Sequence, residues 1–122
     1  MGYNQGDYAI SDITYSFSGT QFTLQKGHET YLVKSPLIGT FNVMNLAQAF
    51  IAIEKEGIPL DDAINLVRSF PGVPGRLQLF QNVNKHVVVD YAHTPDALEK
   101  VLSCLKPLAG KLHCLFGCGG DR

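Results

Sequence analysis

From residue 8 onward the chain alternates apolar and polar positions over short runs, the period of strands with one buried face. Tyr8–Phe17 alternates loosely and is rich in Ile, Thr and Tyr. Thr20–Gln25 alternates cleanly, with Phe22 and Leu24 on one side, and Glu29–Val33 continues the pattern. Ser18-Gly19 and Lys26-Gly27-His28 read as turns between these runs, which together predict an antiparallel meander of three strands. The period then changes. Phe41–Lys55 predicts a helix with apolar residues on two sides, Met44, Ala47 and Ile51 on one and Leu46, Phe50 and Ile53 on the other, hence a mostly buried one. Gly57 and Pro59 mark its end. A second helix is predicted from about Leu60 to Ser69, its Leu60, Ala63, Ile64 and Val67 forming one stripe and Asp61-Asp62 lying in the first turn, where the helix dipole favours anions.

Pro71-Gly72-Val73-Pro74-Gly75 is the densest punctuation in the chain and predicts a sharp connector, with a domain boundary between residues 73 and 74. Beyond it, Arg76–Gln81 predicts a strand, Asn82–Lys85 a turn and His86–Asp90 a continuous apolar strand buried on both faces, as in a parallel sheet. Thr94-Pro95-Asp96 is a strong helix start, with Thr as N-cap and Pro at the first position. Leu98, Val101, Leu102 and Leu105 supply that helix's stripe, and Lys111–Phe116 predicts a further strand. The fold class expected is therefore α/β: antiparallel strands plus two helices, followed by the opening strand–helix–strand unit of a parallel, doubly wound domain. The chain begins in mid-pattern, a few residues before a strand, and runs out after a glycine turn that ordinarily opens a helix, which suggests a segment of a longer protein.

With 122 residues, 45% apolar and 17% charged, the chain has the composition of a globular protein rather than a disordered tail. Ten Lys and Arg against eleven Asp and Glu leave a net charge of −1, so neither a nucleic-acid footprint nor a polybasic membrane contact is indicated. Cys104, Cys114 and Cys118 are odd in number, and no signal-peptide pattern precedes them, which suggests reduced thiols in a cytoplasmic protein. His113, Cys114 and Cys118 match no common zinc spacing, and no metal site is expected.

In α/β sheets, ligands gather beyond the carboxyl ends of strands. Two such ends are expected, one carrying Asp90-Tyr91-Ala92-His93-Thr94 and the other Gly117–Arg122. A carboxylate at Asp90 can accept from sugar hydroxyls or simply satisfy neighbouring backbone. His93, just ahead of a helix N-terminus, suits a neutral ring that donates to an anion or ring rather than a permanent cation. The Gly117-Cys118-Gly119-Gly120 turn can present amides to an anion or serve only as a tight turn, and Arg122 can clamp a carboxylate or phosphate. Arg76 at the hinge can reach a phosphate or stay solvated. Asn42 and Asn45, one turn apart on an apolar helix, require partners; an adenine would be one, and helix capping by Thr40 or Asn42 the simpler one.

Taken together, Gly39-Thr40-Phe41-Asn42-Val43-Met44-Asn45 with Ala47 and Ala49, Pro74-Gly75-Arg76, Asp90-Tyr91-Ala92-His93-Thr94-Pro95 and Phe116-Gly117-Cys118-Gly119-Gly120-Asp121-Arg122 resemble the Mur ligase family in order and spacing. Thr94 after His93, with the G-C-G-G-D-R run, favours the branch that adds the third amino acid to a UDP-N-acetylmuramoyl peptide. Folylpolyglutamate synthetases and cyanophycin synthetases differ at the Asp90 strand end. Gln78 departs from the family's usual Glu. The resemblance implies the end of a central ATPase-type domain joined to the start of a Rossmann-like C-terminal domain. It implies that Asn42 and Asn45 lie near adenine, Arg76 reaches nucleotide phosphates, Asp90 holds the ribose with His93 beside it, and Arg122 binds the incoming amino acid, meso-diaminopimelate or L-lysine. The implied reaction is ATP- and Mg²⁺-dependent amide formation through an acyl phosphate on UDP-MurNAc-L-Ala-D-Glu. No catalytic residue is assigned within these 122 residues, and they contain no G-x-x-x-x-G-K-[ST] phosphate loop, so the segment alone is expected to be inactive. The alternatives are a folate- or cyanophycin-directed ligase of the same family, or a non-enzymatic α/β nucleotide-binding module.

Overall fold

A computed structural model of the chain describes residues 3–5 and 7–117. Four strands form one antiparallel sheet in the order β1 (Tyr3–Gln5), β2 (Tyr8–Ser16), β3 (Gly19–Lys26) and β4 (Glu29–Ser35). The meander thus has one strand more than its sequence predicts, because the short run Tyr3–Gln5 pairs with Tyr8–Ile10. The loose alternation of β2 has a local cause. The register with β3 shifts between Ser11 and Thr14, and Asp12 takes a positive φ of 52°, the signature of a bulge.

One face of this sheet is the main core. Ile10, Phe22, Leu24 and Val33 point to it, the last three fully buried. Helices α1 (Thr40–Lys55) and α2 (Leu60–Val67) cover them. In α1 the buried seam is Val43, Leu46, Ala47 and Phe50, at i, i+3, i+4 and i+7. The helix therefore buries one face rather than the two its composition predicts, since a two-layer packing has nothing to offer the other side. In α2 all four predicted stripe residues are buried. Burying each such aliphatic or aromatic side chain contributes roughly 1.5–3 kcal/mol. Gly57, at φ 87°, ends α1. Its N–H bonds to the Glu54 carbonyl and that of Ile58 to Ile53, the paired bonds of a Schellman stop.

Sheet and helix are also tied by polar groups. The Glu54 carboxylate on α1 accepts from both Tyr8 on β2 and Lys26 on β3. The Lys26 ammonium and then the Tyr8 hydroxyl hold the Glu54 pKa below its ordinary value. The same bonds to Glu54 raise the pKa values of Lys26 and Tyr8. Near the other end of the sheet two buried hydroxyls grip one residue. Thr20 donates to the Leu37 carbonyl at 2.6 Å, and Ser35 Oγ accepts from the Leu37 N–H at 3.2 Å. This fixes the path of Ile38 and Gly39 into α1.

After the connector come β5 (Gln78–Asn82), β6 (Lys85–Val89), α3 (Pro95–Leu105) and a single 3-10 turn at Lys106–Leu108. Thr94 caps α3 as its sequence predicts, its hydroxyl accepting from the Ala97 N–H at 3.3 Å. Two expectations fail here. Strands β5 and β6 form an antiparallel hairpin, not part of a parallel sheet. Lys111–Phe116 is not a strand. A strand exists only as half of a ladder, and this run reaches no partner among the described residues; Leu115 and Phe116 stay exposed. The apolar run of β6 is likewise not buried on both faces. Val88 is half-buried beside its partner Leu79, whereas Val87 and Val89 face outward.

A second cluster joins the two halves. Ile38 from the sheet side packs with Leu77, Cys104 and Leu105, and Tyr15, Phe17, Leu79, Val88 and Val101 close around them. The Phe17 ring also stacks on His86 at 4.0 Å between centroids. No helix among the described residues is long and apolar enough to cross a membrane.

The Glu54 cluster gives a direct test. A carboxylate whose folded pKa is depressed contributes stability above its ordinary value of about 4.3, and loses it as pH falls through the folded value. Lys26 and Tyr8, with raised values, contribute below about pH 10 and lose that contribution as pH rises. Glu54→Gln should therefore lower Tm by a few degrees between those limits and flatten its decline on the acid side, read by thermal melts from pH 3 to 11.

Candidate functional site

The predicted site residues fall into three places. Asn42 and Asn45 lie in the first two turns of α1. The N-cap is Gly39, without a side-chain cap, so neither Thr40 nor Asn42 caps the helix. Asn42 instead donates from its side-chain amide to the Ile38 carbonyl at 2.8 Å and accepts from Asn45 at 3.3 Å. Helix capping fails because Gly39, at φ 96°, directs the chain into α1 without offering a side chain.

Asp90, Tyr91 and His93 lie directly after β6, and Arg76 directly before β5, so the hairpin brings them together. Asp90 uses both oxygens on backbone: Oδ2 accepts from the Leu77 N–H at 2.9 Å and Oδ1 from the Ala92 N–H at 2.8 Å. The simpler reading of this residue, a strand-end carboxylate satisfied by backbone, is thus realised, and each oxygen retains a further lone pair for a ligand. The Arg76 guanidinium lies 5.4 Å from the centroid of the Tyr91 ring, within cation–π range. The His93 ring is tilted against the same Tyr91 ring, with centroids 5.1 Å apart. His93 Nδ1 is 3.0 Å from the Tyr91 carbonyl. A carbonyl only accepts, so Nδ1 carries the proton of that bond. With Nδ1 as donor to Tyr91, the donor role expected of this ring is used within the chain.

The third group is known from the sequence alone. Cys118, Gly119, Gly120, Asp121 and Arg122 lie outside the described residues, as does the expectation of an amino-acid clamp at Arg122.

The asparagine helix and the aspartate–histidine end meet through one residue. Leu77, whose amide Asp90 holds, is 5% exposed and packs at the start of α1. A Cβ added to Gly39 would stand 2.9 Å from Leu77 Cδ1 and 2.8 Å from Cys104 Sγ. Burial pushes the Cys104 thiol pKa up, against a lowering by the backbone of Thr40. Both polar groups therefore border the same joint. The two open grooves of about 530 and 540 Å³ lie elsewhere, one along β2–β4 beside Lys34 and Arg68, the other along α3 beside Leu112 and Cys114.

Sequence reasoning missed three participants. Leu77 adopts φ 42°, which nothing in a leucine signals. Gln78 accepts from the Gly75 N–H at 3.0 Å. Tyr91 was legible only as an aromatic at a strand end.

Comparison with known proteins agrees with this geometry. The family described as Mur ligase, glutamate ligase domain, matches residues 75–122, beginning inside the connector. A Haemophilus influenzae protein named UDP-N-acetylmuramoyl-L-alanyl-D-glutamate–2,6-diaminopimelate ligase is 44% identical over 124 residues, which cover 100% of this chain and 25% of that protein. The chain is similar to Mur ligases along its whole length. A solved structure of a ligase of the same name matches with a TM-score of 0.75 at 45% identity, covering 98% of this chain and 25% of the other. A MurF ligase from Thermotoga maritima, solved with ADP, shares the fold at 22% identity and TM-score 0.71, over 88% of this chain and 25% of its own. The chain spans about a quarter of the length of the relatives it matches.

Gly39→Ala should pry the joint apart, since it adds a methyl group against Leu77 and Cys104 at a left-handed φ. A loss of about 1–3 kcal/mol is expected from urea unfolding, with weaker protection of the Leu77 amide from hydrogen exchange.

Proposed function

We propose that this chain is the junction segment of an ATP-dependent ligase that adds the third amino acid, meso-diaminopimelate or L-lysine, to UDP-MurNAc-L-Ala-D-Glu in peptidoglycan synthesis. Residues 1–73 belong to the end of the central ATPase domain and residues 74–122 to the start of the C-terminal domain. The family match that begins at Gly75 supports this boundary. Such a protein would work in the cytoplasm, where the nucleotide-linked precursor is made.

The single observation that carries the reading is the joint. Arg76, Asp90 and His93 lie at one end of the hairpin, and the Leu77 side chain sets that end against the start of the Asn42–Asn45 helix. A nucleoside bordered by these groups finds amides for its base, lone pairs on Asp90 for its ribose and a cation for its phosphates. Arg76 is exposed and Tyr91 supports its guanidinium without neutralising it, so its full charge remains available to an anion. Asn42 and Asn45 would turn from their present bonds to meet the base. Arg122 would take the incoming amino acid's carboxylate.

In the full-length protein, ATP activates the D-glutamyl carboxylate as an acyl phosphate, and the amine of the incoming amino acid displaces phosphate. This segment contributes position and charge rather than proton transfer. Among the described residues no group of three His, Cys, Asp or Glu side chains is placed to hold a metal ion. The family resemblance assigns the ligands of the Mg²⁺ that accompanies ATP to other parts of the full-length protein.

Two outcomes follow. The purified 122 residues should form no amide and release no phosphate from ATP in a turnover assay; measurable turnover would refute the division of labour. In the full-length protein, Arg76→Ala should raise the KM for ATP about tenfold or more while leaving the KM for the amino acid within twofold, read by initial rates.

A further inference from the structure

We infer that Gln78 is a positioning residue for Arg76, acting through the backbone of the joint; in its functional part this rests on the nucleotide reading above. Three successive amides are held around Arg76. The Gly75 N–H donates to Gln78 Oε1 at 3.0 Å, the Arg76 N–H to the Val73 carbonyl at 3.1 Å, and the Leu77 N–H to Asp90 Oδ2 at 2.9 Å. The acceptor atom of Gln78 must be its oxygen, because an amide N–H only donates.

These bonds fix an unusual backbone. Gly75 and Leu77, the residues on either side of Arg76, both lie in the left-handed region, at φ 72° and 42°. Glycine adopts that region freely, whereas leucine resists it. Leu77 is kept there from two directions: Asp90 holds its amide, and its side chain is buried with Ile38, Cys104 and Leu105. The Asp90 bond anchors the C-terminal side of Arg76 to β6. Gln78 anchors the N-terminal side to β5. The Val73 carbonyl and Asp90 hold the two peptide planes that adjoin Arg76, and Gln78 holds the plane before them, so the Cα–Cβ bond of Arg76 keeps one direction and its side chain leads to the Tyr91 ring, over which the guanidinium lies.

The two clasps are not equivalent. Asp90 also accepts from Ala92 and so belongs to the strand end as well as the joint. The bond from Gly75 is the one bond Gln78 contributes to the turn, so Gln78 can be altered without touching the strand end. Arg76 has Tyr91 as its ring partner, and its charge remains available for a phosphate.

The test uses the 122-residue chain and the full-length protein. In the chain, the Arg76 Nε–Hε correlation in a ¹⁵N NMR spectrum should lie upfield of that of Arg68, owing to the Tyr91 ring, and Tyr91→Leu should abolish the shift and so identify the signal. Gln78→Met keeps the side-chain length and removes the amide acceptor. It should return the Arg76 signal toward that of Arg68 and speed exchange of the Gly75 amide about tenfold. Gln78→Glu, which restores an oxygen acceptor, should keep both signals near wild type. A Gln78→Met protein in which Arg76 keeps its shift overturns the inference, whatever happens to Gly75. Should that variant not fold, Gln78→Ala serves in its place, and the wild-type chain itself must show slower exchange at Gly75 than at Gly72.

In the full-length protein, Gln78→Met should raise the KM for ATP about three- to tenfold with kcat within twofold, and Gln78→Glu should restore it. If Arg76→Ala leaves that KM unchanged, the nucleotide reading of Arg76 fails while the NMR result still decides the positioning. If Arg76→Ala raises KM and Gln78→Met does not, the positioning inference fails and the nucleotide reading stands.

Discussion

One carboxylate, that of Asp90, holds the amide of Leu77 from the far end of the hairpin, and the rest of the joint is arranged around this bond. Without it a leucine has no reason to keep a left-handed backbone, and its side chain would not turn into the cluster with Ile38, Cys104 and Leu105. That cluster is where the two halves of the chain meet. Its sheet-side member, Ile38, is delivered by Leu37, whose N–H and carbonyl are gripped by the buried hydroxyls of Ser35 and Thr20. Two sets of hydrogen bonds, one on each side of the connector, thus bring two apolar side chains together. The apolar contact then makes the geometry cooperative.

This arrangement explains why a glycine must open the asparagine helix. Gly39 lies between Leu77 and Cys104 at distances that exclude a side chain. Asn42 and Asn45 are therefore tied to the hinge by close packing rather than by direct contact with Asp90 or His93. The polar groups on either side are satisfied within the chain, Asn42 by Ile38 and Asn45, and Asp90 by Leu77 and Ala92.

Similarity to Mur ligases places the chain among known folds, and the chain also has its own physical account. The sheet and its two helices form a complete two-layer core with the Glu54 cluster as a polar tie. The part beyond the connector is less complete. Its hairpin buries little more than Leu77, Leu79 and Val88, and the apolar run Lys111–Phe116 has no ladder to join. An apolar strand sequence without a partner strand is the residue pattern of a larger sheet, of which the relatives, four times as long, have the means to supply the rest.

Local chemistry therefore determined much of this protein from sequence alone. The alternation in β3, the stripe of α2, the glycine stop after α1 and the Thr94 cap all appear where the residue order puts them. Each depends on residues within a turn or two of one another, and the motifs that carry the family resemblance are of the same short-range kind. What only the tertiary structure decided is every feature that needs a distant partner. The fate of Lys111–Phe116, the exposure of Val87 and Val89, the left-handed Leu77, and the pairing of Arg76 with Tyr91 and of Gly75 with Gln78 depend on which surfaces the folded chain brings within reach. Pattern fixes the conformation a segment prefers; ladders, ring contacts and strained backbones exist only between segments.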